Sequence, residues 1–227
     1  GMPSMCENYT CQGHNLQGAF AQCICCKASK TYVFSDKISF DEASLCELLN
    51  CAMSGVDNAE LKYGDTVAIF GCGSSGNLLA QLFKHSCAGR VVALDSEPEK
   101  LQQLTKLGIE TLLVDRDDYS KHEAALRDLF PHGIDVIVDA AGDDKELFER
   151  NLELLAPFGR YVAYSFFYHE PKVINVAPGL LIRKGLKIVS APLRMYHWQD
   201  SIDALVNGKI DPASVITDTF PLENYFE

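Results

Sequence analysis

The sequence is short of positive charge. Lys and Arg number 20 against 31 Asp and Glu, a formal net charge of −11 over 227 residues. With no basic run, it matches neither nucleic acid nor an anionic membrane surface. It has no apolar stretch approaching the ~18 residues of a membrane-spanning helix. Its first residues, Gly1-Met2-Pro3-Ser4-Met5, carry neither the charged start nor the apolar run of a secretion signal. The expectation is a cytoplasmic protein. Internal repeats, low-complexity linkers, His-x-x-x-His pairs and paired Cys/His ligands at zinc-finger spacing are also missing. What remains is the composition of an ordinary globular chain, 47% hydrophobic and 22% charged.

Cysteine is plentiful but arranged against a disulfide framework. There are nine: Cys6, Cys11, Cys23, Cys25, Cys26, Cys46, Cys51, Cys72 and Cys87. The number is odd and all fall before residue 90, so reduced thiols are expected. Cys23-Ile-Cys25-Cys26 contains a Cys-x-x-Cys. Phe20 to Phe34 reads as strand, and small core cysteines are the preferred reading of that pair.

From residue 60 onward short apolar runs alternate with helical patterns. Strands are expected at 66–70, 90–94, 110–114, 134–138, 160–164 and 186–190. Helices are expected at 77–85, 97–107, 121–130, 145–155 and 198–206. Strands apolar nearly throughout are buried on both faces, as in a parallel sheet covered by helices. The alternation therefore predicts an α/β fold with a doubly wound parallel sheet. Residues 1–60 do not follow it. They hold a helix near 41–52 and read as part of another domain.

The first strand runs into Gly71-Cys72-Gly73-Ser74-Ser75-Gly76, a G-x-G-x-x-G opening a helix, and Asp95 stands 19 residues after Gly76 at the end of the next strand. In that context the pattern is a dinucleotide-binding fingerprint. Gly71 permits the tight turn, Gly73 lets backbone approach a diphosphate, and Gly76 lets helix and strand pack closely. The helix amino terminus offers unpaired N–H groups to the diphosphate. Asp95 accepts from ribose hydroxyls and repels a 2′-phosphate. No Arg follows it directly, so NAD is favoured over NADP. The other reading of Asp95 is a solvated strand-end acid or helix cap. Ser75 and Asn77 stand where apolar residues are usual and predict a weaker site. The fourth strand ends in Asp139-Ala140-Ala141-Gly142, a small-residue turn with room for the cofactor's inner ribose.

These features together resemble the zinc-containing medium-chain alcohol dehydrogenases, in particular the sorbitol and threonine dehydrogenase branch. Gly18-Ala19-Phe20-Ala21-Gln22, Ile38-Ser39-Phe40-Asp41-Glu42-Ala43-Ser44-Leu45, Gly159-Arg160-Tyr161-Val162, Gly208-Lys209-Ile210 and Phe220-Pro221-Leu222 fall in family order with the glycine turn and Asp95. The resemblance implies a Rossmann domain over 56–195, a remnant of a GroES-like catalytic domain over 1–55 and a return segment over 196–227, truncated at both ends. It implies NAD as cofactor, zinc in the complete enzyme, and hydride exchange with a small alcohol or polyol, and it leaves a homo-oligomer open. The candidate metal ligands it points to are Glu47, 24 residues before Gly71, its neighbour Cys46, and Cys6, the last of four structural-zinc cysteines. Their family partners are absent, so no zinc is expected in this chain. His14 and His169 are expected in loops. Arg194 is a candidate for contact with substrate or a neighbouring subunit, or a surface residue.

Three functions compete. The first is the cofactor domain of a zinc-type dehydrogenase. The second is a non-catalytic or degenerate dinucleotide-binding module. The third is an S-adenosylmethionine methyltransferase, which shares a glycine turn and a later acid but not the Asp139–Gly142 turn.

Overall fold

The computed structural model describes residues 6–142, 144–165, 173–191 and 196–225. Six strands, β1 (Thr66–Phe70), β2 (Arg90–Asp95), β3 (Glu110–Leu113), β4 (Ile134–Asp139), β5 (Leu155–Ala163) and β6 (Lys187–Ser190), form one sheet. Its order is β3-β2-β1-β4-β5-β6, and each neighbouring pair is parallel. Chain order reverses between β1 and β4, whose carboxyl ends lie side by side with Phe70 opposite Asp139. Ligands of open α/β sheets sit at that crevice.

Burial follows the period of two. Val67 and Ile69 face a core shared with α2 (Cys46–Asn58), α3 (Ser74–Lys84), α4 (Pro98–Lys106) and α8 (Trp198–Val206). Ala68 and Phe70 face a second core shared with α5 (Ser120–Leu129), α6 (Lys145–Leu154) and α7 (Pro178–Lys184). Both faces are dry, which is why the strand sequences are continuously apolar. Beneath the sheet, buried Arg160 donates to Asp65 Oδ2 at 2.5 Å and to Glu60 O at 2.8 Å. It ties β5 to the chain entering β1.

Several expectations need correction. The helix near 41–52 is two pieces. A Ser39–Glu42 capping box starts α1 (Phe40–Ala43), and α2 then continues to Asn58. The stretch Phe20–Phe34 is not a strand. Among the described residues no neighbouring strand pairs with it, and a lone strand leaves its ladder groups unpaired. Cys23, Cys25 and Cys26 are consequently exposed rather than in a core, as are Cys6 and Cys87, while Cys46 and Cys72 are buried. Helix α7 is not legible in the alternation at all. Arg194 and His169 lie outside the described residues, and His14 sits in an exposed turn.

Candidate dinucleotide cleft

At the carboxyl ends of β1 and β4 a cleft of about 390 Å3 opens, lined by Gly71, Gly73, Asp95, Ser96, Lys100, Arg116, Tyr119 and the Ala140–Gly142 turn. The glycine turn forms one wall. Gly71 has φ +90, and a Cβ on it would lie 2.5 Å from Ala141 N. A Cβ on Gly76 would lie 1.7 Å from Gly71 O, so only glycine lets α3 start this close to β1. A Cβ on Gly73 would meet nothing within 4 Å, which leaves open backbone facing the cleft. No side chain caps α3, and Ser74 is exposed at its first turn. Its leading N–H groups therefore remain available to an anion.

The rest of the turn faces inward. Cys72 is buried, and burial pushes its thiol up to about 12, so it stays protonated. Its N–H donates to Asp95 Oδ2 at 2.6 Å, while Glu97 N donates to Asp95 Oδ1 at 2.9 Å. Asp95 thus holds the glycine turn and the entry to α4. A carboxylate has about four acceptor sites, which leaves capacity for ribose hydroxyls. Asp95 is buried rather than a solvated strand-end acid, and it accepts from the N–H of Glu97, the residue before α4, which no side chain caps.

The two unusual turn residues have structural partners. Ser75 stands close enough to the Tyr164 hydroxyl to act on it, and burial pushes the pKa of that hydroxyl up to about 12. Asn77 is buried, its amide donating to Ser214 O at 3.1 Å and accepting from Gln81 at 2.7 Å. Gln81 in turn accepts from Asp211 N at 2.6 Å. This polar clasp seats the segment after α8 on α3, where an apolar residue would find carbonyls and amides.

The opposite wall is organised by Asp139. Its Oδ1 accepts from Ala141 N at 3.2 Å and Gly142 N at 3.1 Å, and its Oδ2 from Tyr161 at 2.8 Å. Burial raises its pKa despite those bonds. The sequence reading took this turn only as space; the acid that shapes it went unremarked. Lys100, Arg116 and Tyr119 were also missed. Lys100 stands five residues past Asp95 in the first turn of α4, a spacing that places it over the cleft.

The candidate metal ligands do not converge. Glu47 lies on the exposed face of α2, accepting from Cys51 Sγ at 3.5 Å. Cys46 is buried beside it, its thiol raised by burial, and Cys6 is exposed on the amino-terminal segment. Among the described residues no three His, Cys, Asp or Glu side chains are grouped closely enough to hold a metal ion. The zinc expected of the complete enzyme does not fit these donors as they stand.

With this geometry in view, the comparisons with known proteins are consistent. The zinc-binding dehydrogenase family model matches residues 76–207, more than half of the chain. This chain belongs to that family. It is 27% identical over 229 residues to D-arabinitol dehydrogenase 1 of Uromyces fabae, spanning 100% of this chain and 65% of that relative. In fold it is similar to a short chain alcohol dehydrogenase from E. coli CFT073 complexed with NADH (TM-score 0.85, 22% identity, covering 98% of this chain and 64% of the other). It is also similar to a structure from Sinorhizobium meliloti 1021 bound to NADP (TM-score 0.81, 21% identity, 92% and 60%). The chain thus spans about two thirds of the length of these relatives.

Proposed function

We propose that this chain is the cofactor-holding part of an alcohol or polyol dehydrogenase, with NAD(H) preferred. Residues 56–195 form the dinucleotide domain in this reading, and 1–55 and 196–227 belong to a catalytic domain. The observation that carries it is the cradle at Gly71–Gly76, open backbone at Gly73 beside an uncapped helix and an acid hydrogen-bonded to the turn. Bound there, the dinucleotide supplies the hydride acceptor or donor. The amino terminus of α3 and the Gly73 backbone take the diphosphate. Asp95 accepts from the adenosine ribose hydroxyls. The Ala140–Gly142 turn, held rigid by Asp139, gives room to the inner ribose. No step is assigned to zinc, since Glu47, Cys46 and Cys6 do not come together.

A second reading, a dinucleotide-binding module without catalysis, is favoured by that scattering of donors. It gains nothing from Ser75 and Asn77, which have partners of their own. Calorimetric titration with NADH and with S-adenosylmethionine tests the core reading. Saturable binding of NADH alone is expected; binding of S-adenosylmethionine alone overturns it.

A further inference from the structure

The adenosine end of the cleft carries two cations beside its acid. Arg116, just past β3, reaches back to the chain after β2, its Nε donating to Ser96 Oγ at 3.0 Å. Arg116, Ser96, Asp95 and Lys100 line the same cleft. Lys100 is paired with Glu97 at 2.8 Å, and the charge of Asp95 also acts on it. Both oxygens of Asp95 already accept a backbone N–H. Its negative charge is therefore partly balanced by those donors and by Lys100. The wall is not the uniformly anionic surface that excludes a phosphate ester.

Arg116 spends one of its five N–H groups on Ser96 and has no ion-pair partner among the described residues. Its other N–H groups have no partner among the described residues, and it lines the same cleft as the carboxylate that would meet the adenosine ribose, held to the residue that follows that acid. A 2′-phosphate carries about −1.5 to −2 charge near neutral pH. A guanidinium offers it paired, charge-assisted hydrogen bonds.

We propose that Arg116, aimed by Ser96, reads the 2′-phosphate, so that this chain takes NADP(H) as well as NAD(H). The proposal rests on the reading of the cleft as a dinucleotide site. Asp95 still favours the free ribose; Arg116 offsets that preference only when the phosphate is present. An arginine that merely stacked on adenine would help both dinucleotides alike, and that difference separates the two roles.

The test is titration of the full chain with NADH and with NADPH, in the wild type and in Arg116→Ala, Arg116→Lys and Ser96→Glu. Arg116 is exposed, so its variants are expected to keep the wild-type circular dichroism spectrum. Wild type should bind both dinucleotides. Arg116→Ala should weaken NADPH about fivefold, the upper end for an exposed charged pair, and leave NADH within about twofold. Arg116→Lys should recover part of the loss, and Ser96→Glu should reproduce it by setting a carboxylate against the phosphate. NADPH affinity should also fall more steeply with salt than NADH affinity. The proposal is overturned if wild type binds NADH but not NADPH, or if Arg116→Ala weakens both equally or neither. Failure of both dinucleotides to bind removes the underlying reading of the cleft as well.

Discussion

Replacing Asn77 by leucine, the kind of residue usual at that position, should destabilise the protein rather than improve it. Asn77 is 3% exposed, and its side chain makes three hydrogen bonds, to Ser214 O and from Gln81 and Ser214 Oγ. Leucine removes these bonds and strands the partly buried Ser214 carbonyl, a cost of about 1–3 kcal/mol. Its extra apolar burial returns roughly 1 kcal/mol, and the Gln81 amide keeps its bond to Ser214 Oγ at 3.0 Å. The net expectation is a loss of about 1 kcal/mol, or about 3 °C in Tm for a chain of this size. Urea unfolding followed by both fluorescence and circular dichroism would measure it, coincident transitions showing that two states suffice. Gln81→Leu and the double variant complete a cycle, in which a coupling of about 1 kcal/mol is expected. NADH affinity should not rise in any of these variants. A leucine variant as stable as wild type, or more so, would refute the clasp and return Asn77 to being a defect of the turn.

The other expectations are separate. Asp95→Ala should narrow the gap between NADH and NADPH affinity; an unchanged ratio would mean that Asp95 serves the turn alone. Asp139 has a raised pKa in the folded protein, so its carboxyl adds stability when protonated, and that contribution is lost as pH rises from the ordinary carboxylate range through the folded value. Asp139→Asn should flatten that part of the stability–pH curve, and a curve unchanged from wild type would count against the burial. Metal analysis of the purified chain should find no stoichiometric zinc; one zinc per chain that disappears on Cys23→Ser or Cys26→Ser would revive the Cys-x-x-Cys pair as ligands. With zinc added, the chain should form no NADH from polyols, secondary alcohols or threonine, because binding a cofactor does not activate an alcohol. Steady turnover abolished by Glu47→Ala would show that a complete site exists.

The sheet was legible because its strands are buried on both faces, and continuous apolar runs such as Thr66–Phe70 have little else to be. The glycine turn was legible because Gly71 and Gly76 each answer a local steric demand, while Gly73 leaves backbone open to the cleft. Phe20–Phe34 was misread for the converse reason: its residues suit a strand, but strand formation depends on a neighbour, and composition carries no information about neighbours. The cofactor wall failed in a more instructive way. No arginine follows Asp95 directly in the sequence, which runs on as Ser96-Glu97. In a parallel sheet, however, β2 and β3 both end at the same edge, with Asp95 in register with Leu113. The residue after one strand and the third residue after the other, Ser96 and Arg116, are then neighbours despite a helix between them in sequence. Charge at the carboxyl edge of such a sheet is set by every strand that ends there. The acid after β2 is therefore only one part of what a dinucleotide meets, and Arg116 is the part whose removal would reveal it.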